Sequence, residues 1–104
     1  MTVTVVSRWK VTDAAEATKN AKRAKAVWLK NGAQDCRLNV VFTGPYTGQM
    51  IFASVFSDMT AYAKASTAIQ ADAEWKKLQD DIRKFNEAHG DSLEEREILI
   101  GVDV

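Results

Sequence analysis

A chain of 104 residues, 46% of them hydrophobic, is long enough for one modest core and too short for two, so residues 1–104 are read as a single domain. Fourteen basic and fourteen acidic residues cancel to a formal net charge of zero, which leaves no global field to recruit nucleic acid or an anionic membrane. The one cysteine, Cys36, excludes an internal disulfide and is too little for a metal site; with no membrane-length apolar run and no leader, a soluble cytoplasmic protein without metal or cofactor is expected.

The first element alternates. Val3, Val5, Ser7, Trp9 and Val11 stand against Thr4, Val6, Arg8 and Lys10, the period of a strand with one more apolar face. Asp13 with Glu16 three residues on signals a helix start, and Asn31-Gly32 signals its end. Between them Ala14, Ala17, Ala21, Ala24 and Trp28 recur at spacings of three and four, giving an amphipathic helix with a thin alanine seam. A second strand carries Cys36, Leu38, Val40 and Phe42 on one face and Arg37, Asn39, Val41 and Thr43 on the other. Next, "TGPYTG" poses a choice between a phosphate cradle and a turn. A phosphate cradle runs into a helix N-terminus, whereas this segment runs into "MIFASVF", so it is read as the turn of a β-hairpin.

Ser57 or Asp58 opens a second helix with Met59, Tyr62, Ala65 and Ile69 on its stripe. A second stripe, Trp75, Leu78, Ile82 and Phe85, starts about two residues out of phase with the first. A break at Ala71 to Ala73, with Asp72 capping a separate helix, accounts for the slip. Gly90 stops that helix, and Glu97 to Val104 reads as the last strand, with Ile98, Ile100, Val102 and Val104 on one side. The order strand, helix, strand, strand, helix, strand is the split βαβ pattern of an α+β, ferredoxin-like sandwich: a four-stranded antiparallel sheet with its helices on one face. Val6, Val41, Leu99 and one row of the third strand then form an apolar second face that needs a cover.

The segment "IQADAEWKKLQDDI", a helix broken before an acid-small-Glu-Trp turn and then resumed, resembles the second helix of dimeric α+β barrel proteins. These include NIPSNAP-like, stress-responsive barrel and antibiotic-biosynthesis monooxygenase-like proteins, and the likeness in element order spans nearly the whole chain. It implies a homodimer in which two sheets pack face to face, covering the second face. The same order of elements serves RNA-recognition modules, but "TGQMIFASVF" lacks their basic-Gly-aromatic signature and "VTVVSRWK" lacks the first-strand pattern, so no nucleic-acid partner is expected.

Few residues carry chemistry. There is no paired-carboxylate, metal or nucleophile-base motif, and whether the chain is an enzyme stays open. His89, in "EAHGD", reads as a helix C-terminal residue, with general base as its other role; Tyr46 and His89 are the catalytic candidates if the chain is a cofactor-independent monooxygenase or cyclase, as the resemblance allows. Trp75 reads as core stripe or substrate wall, and Cys36 as an inert buried thiol. Arg8, Arg37 and Asn39 share the second face. A guanidinium buried there needs a partner, either an ion pair across a dimer, with Glu97 or Asp103, or a ligand carboxylate. The reading is a homodimeric protein holding a small hydrophobic or amphipathic ligand, an acyl or aromatic acid, in an apolar cavity beside the sheet. The binding residues would be Arg8, Arg37, Asn39 and Trp75; a regulatory module without catalysis is a further alternative.

Overall fold

The computed structural model describes all residues, Met1–Val104. Its elements are β1 (Val3–Lys10), α1 (Ala14–Lys30), β2 (Asp35–Val40), β3 (Met50–Phe56), α2 (Met59–Gln70), α3 (Ala73–His89) and β4 (Ser92–Ile100). The strands form one antiparallel sheet in the order β2-β3-β1-β4. This is the ferredoxin-like α+β arrangement expected from the sequence.

Local chemistry sets each boundary. The Asp13 carboxylate accepts from Glu16 N at 3.0 Å to open α1, and that of Asp58 accepts from Ala61 N at 2.7 Å to open α2. Asp72 opens α3 by accepting from Glu74 N and Trp75 N at 2.9 and 3.2 Å, the break that the phase slip requires. The same carboxylate receives Lys30 Nζ at 2.6 Å and Asn31 Nδ2 at 3.3 Å. The end of α1 is thereby pinned to the junction of α2 and α3. The Lys30 hydrogen bond, followed by those from Trp75 N and Asn31, holds the pKa of Asp72 down at about 2 against the cost of burial. Gly90, at φ +75°, ends α3 in the left-handed conformation that glycine adopts without a Cβ penalty.

"TGPYTG" lies in the β2–β3 hairpin loop: Val41 N donates to Gln49 O at 2.8 Å and Gly48 N to Val41 O at 2.9 Å. Two strand boundaries differ from the sequence reading. β2 ends at Val40, so Phe42 does not continue its inner row and instead stands 89% exposed in the loop. β4 starts at Ser92 and stops at Ile100, leaving Val102 and Val104 outside the strand. The run Glu94-Glu95-Arg96 is polar and reads as loop, but β1 supplies partners for it: Arg8 faces Glu95 and Ser7 faces Arg96 in the ladder.

All helices lie on the sheet face that carries Val3, Val5, Ser7 and Trp9. Helix α1 packs against β2 and β3, α2 against β3, and α3 against α1 and α2. The best-packed region surrounds Val3, Cys36, Phe56 and Ala65, all at most 2% exposed, with Ile69 and Leu78 at 1% and 0%. Trp28 meets Phe56 and Trp75 edge to face at 5.6 and 5.5 Å between ring centroids, and Phe56 meets Tyr62 at 5.1 Å. Only 12 of 104 residues are buried, so the layers do not close everywhere. Thr4, Val6, Arg8, Ile51, Ala53, Val55 and Leu99 occupy the opposite, bare face.

Candidate functional site

The layers part beneath α1. Between the sheet and the three helices lies a cavity of about 250 Å³. Its origin is the alanine seam: Ala17, Ala21 and Ala24 turn small side chains toward β1 and β3, where larger ones would have met the strands. The aromatic cluster of Trp28, Phe56, Tyr62 and Trp75 forms part of its wall. Trp9, Phe52, Ile82 and Phe85 extend the apolar wall toward Asp91. There Thr12 donates to Asp91 Oδ1 from both N and Oγ1, at 3.1 and 2.7 Å, tying the β1–α1 loop to the turn before β4.

Polar groups interrupt this wall at a few points, as they do in ligand sites. Ser7 and Ser54 are 7% and 4% exposed. Ser54 Oγ accepts from the Cys36 thiol at 3.5 Å, and burial pushes that thiol's pKa up, which keeps it protonated and unreactive. Ser7 Oγ accepts from Arg96 Nε at 3.1 Å. Asn20 contributes an Oδ1 that is buried and has no hydrogen-bond partner, a costly state for an amide oxygen. No three His, Cys, Asp or Glu side chains come together in a way that could hold a metal ion.

Of the residues singled out from the sequence, Trp75 lines the cavity. Arg8, Arg37 and Asn39 belong to the other face. Arg8 is almost enclosed, with a side chain 14% exposed, and its partners are all in its own chain: Glu95 Oε2 at 2.9 Å, Gln49 Oε1, and the Tyr46 ring, whose centroid lies 3.5 Å from the guanidinium carbon. The hydrogen bond from Arg8, and then one with Glu97, lower the pKa of Glu95. Arg37 is exposed and pairs with Asp35 at 2.9 Å, while Asn39 lies exposed beside Ile51. Tyr46 is thus committed to Arg8 on the bare face. His89 sits on the outside of the α3 terminus, with its ring stacked 4.0 Å from that of Phe85 and its Nδ1 2.9 Å from Phe85 O.

The polar residues that do reach the cavity, Ser7, Asn20 and Arg96, were legible in principle. Ser7 interrupts the row Val3, Val5, Trp9. Asn20 lies three residues past Ala17 and four before Ala24, inside the alanine seam. Arg96 is in phase with Ile98 and Ile100 once β4 is extended back to Ser92.

No protein-family profile matches this sequence, and no curated protein matches it. Solved structures do. A mutant of SnoaB, a cofactor-independent oxygenase from Streptomyces nogalater, is 18% identical and superposes with a TM-score of 0.67 over 99% of this chain and 95% of that one. An uncharacterized NIPSNAP domain protein from Burkholderia xenovorans is 16% identical, with a TM-score of 0.69 over 98% of this chain and 95% of that one. An EthD family protein from Bacillus halodurans is 15% identical, with a TM-score of 0.62 over 98% of this chain and all of that one. The fold is that of the dimeric α+β barrel proteins. In this chain the cavity lies on the helix side of the sheet, and the apolar bare face on the other.

Proposed function

We propose that this α+β barrel chain is a homodimeric small-molecule-binding protein that holds a small amphipathic ligand between its sheet and its helices. The observation that carries the reading is the cavity itself, an apolar hollow lined in part by Asn20, whose Oδ1 is buried without a partner. A packed core would leave neither. Its volume, about 250 Å³, is just below the roughly 300–1,000 Å³ of sites for drug-sized ligands, which suits a molecule of one or two rings or a short acyl chain. Dimerisation is proposed through the bare face, where Val6, Ile51, Ala53, Val55 and Leu99 would be covered by the same row of a second copy.

Calorimetric titration with 2-naphthol tests the binding site. The expected result is saturable binding that is lost in Ala21→Phe, whose ring would fill the hollow, and kept in Arg37→Met on the other face. Equal binding by Ala21→Phe and the native chain would remove the cavity from the reading.

A second reading is catalytic. The likeness to SnoaB, together with the three tryptophans Trp9, Trp28 and Trp75 around one cavity, favours a cofactor-independent oxygenase acting on a hydroxylated aromatic compound. Oxygen uptake with hydroxynaphthalenes, lost in Asn20→Leu, would support it. Loss in Tyr46→Phe or His89→Gln with retention in Asn20→Leu would move the chemistry outside the cavity.

A further inference from the structure

The polar groups of the cavity differ in what they lack. Asn20 hangs from α1, the roof, with a buried acceptor and nothing donating to it. Arg96 comes from the floor, on β4, the strand farthest from α1 in the sheet order. It enters none of the chain's ion pairs, and its one side-chain hydrogen bond runs from Nε to the buried Ser7 Oγ. Ser7 therefore fixes the near end of the guanidinium and leaves its Nη donors free. The other arginines that could serve a ligand are taken: Arg8 by Glu95, Gln49 and Tyr46, Arg37 by Asp35, and Arg23 by Asp81 at 3.0 Å.

We propose that Arg96, held by Ser7, and Asn20 read the two ends of a flat hydroxylated carboxylic acid: the carboxylate on the Arg96 Nη donors, the hydroxyl donating to Asn20 Oδ1, and the ring body between Ala21 and Phe52. The proposal deepens the cavity-binding reading above and depends on it. A planar guanidinium receives a carboxylate through two parallel hydrogen bonds, a geometry that neither a neutral carbonyl nor an alcohol reproduces. An amide oxygen left unpaired at full desolvation cost selects for a ligand that brings a donor and against one that brings only carbon. The Arg96 end is also the wetter one, because β4 is exposed along most of its length, so a carboxylate there keeps part of its hydration while the ring is buried. Ser7 acts as a positioning residue, through Arg96.

Calorimetry with three probes, 6-hydroxy-2-naphthoate, 2-naphthoate and 2-naphthol, tests this on the native chain and four variants. In the native chain the hydroxy acid should bind tightest. Arg96→Met should weaken both acids at least tenfold and leave 2-naphthol within twofold; Arg96→Gln, which keeps a hydrogen-bond donor without the charge, should show the same split and guard against a packing artefact of methionine. Asn20→Leu should erase the preference for 6-hydroxy-2-naphthoate over 2-naphthoate. If 2-naphthoate binds Arg96→Met within twofold of the native chain, or if Asn20→Leu keeps the hydroxyl preference, the proposal is overturned. Binding of 2-naphthol that is lost in Ala21→Phe, with no gain for either acid, would leave the cavity standing and overturn the acid assignment alone. If no probe binds, both fall.

Discussion

Filling the cavity from its roof separates a real hollow from a closed core by the sign of one number. Ala21→Leu adds three carbons to a half-buried position of the alanine seam that faces the open space. At about 0.8 kcal/mol per buried CH₂ the transfer gain is at most about 2 kcal/mol. Ordering the leucine side chain costs about 0.5–1 kcal/mol, and the fall in helix propensity is a few tenths at most. The net expectation is a stabilisation of about 1 kcal/mol. In a core already packed to normal density the same change would overpack it and cost about 1–3 kcal/mol. For a domain of this size 1 kcal/mol moves Tm by about 4–8 °C, so thermal unfolding followed by far-ultraviolet circular dichroism resolves the two cases. A rise of several degrees, accompanied by weaker 2-naphthol binding, is expected. A fall of several degrees would mean that α1 and the strands are already in contact and would refute the reasoning.

Leu78, fully buried on α3, should lose about 2–5 kcal/mol on truncation to alanine, seen as a lowered urea midpoint with an unchanged slope; a loss below 1 kcal/mol would show that α3 is not part of the core. The Asp72–Lys30 contact should make stability depend on acid. Because the Asp72 pKa is lowered from 3.8 to about 2 on folding, its contribution is present above the unfolded value and is lost as pH falls through about 4 toward 2. Lys30→Met should therefore flatten the Tm profile over that window, and an unchanged profile would contradict the assignment. Ile51→Glu, on the bare face, should turn a micromolar dimer into a monomer in sedimentation velocity experiments without lowering Tm in the monomer; a native chain that sediments as a monomer would remove the dimer.

The order of elements was readable because each boundary rests on short-range chemistry. Asp13, Asp58, Asp72 and Gly90 sit where capping demands them, and the two-residue slip between Ile69 and Trp75 marks the break at Asp72. The alanine seam was readable, but as a place where α1 could either leave room or sit closer to the sheet. The polar end of the site needed more than short-range pattern. Arg8 and Arg37 stand out on a sheet row, yet their partners depend on register: β4 begins at Ser92, which delivers Glu95 to Arg8 and Arg96 to Ser7. A polar run such as Glu94-Glu95-Arg96 looks like loop until its cross-strand neighbours are known. Asn20 was hidden for a different reason, since an asparagine on a lysine-rich helix looks solvated unless its place in the seam is weighed.

A crystal structure with 6-hydroxy-2-naphthoate tests the central claim most directly. The expected result is ligand density between Ala21 and Phe52, with a carboxylate oxygen within 3 Å of an Arg96 Nη and the hydroxyl at a similar distance from Asn20 Oδ1. Ligand density on the bare face against Arg8, Asn39 or Val6, with the space under α1 closed, would contradict it.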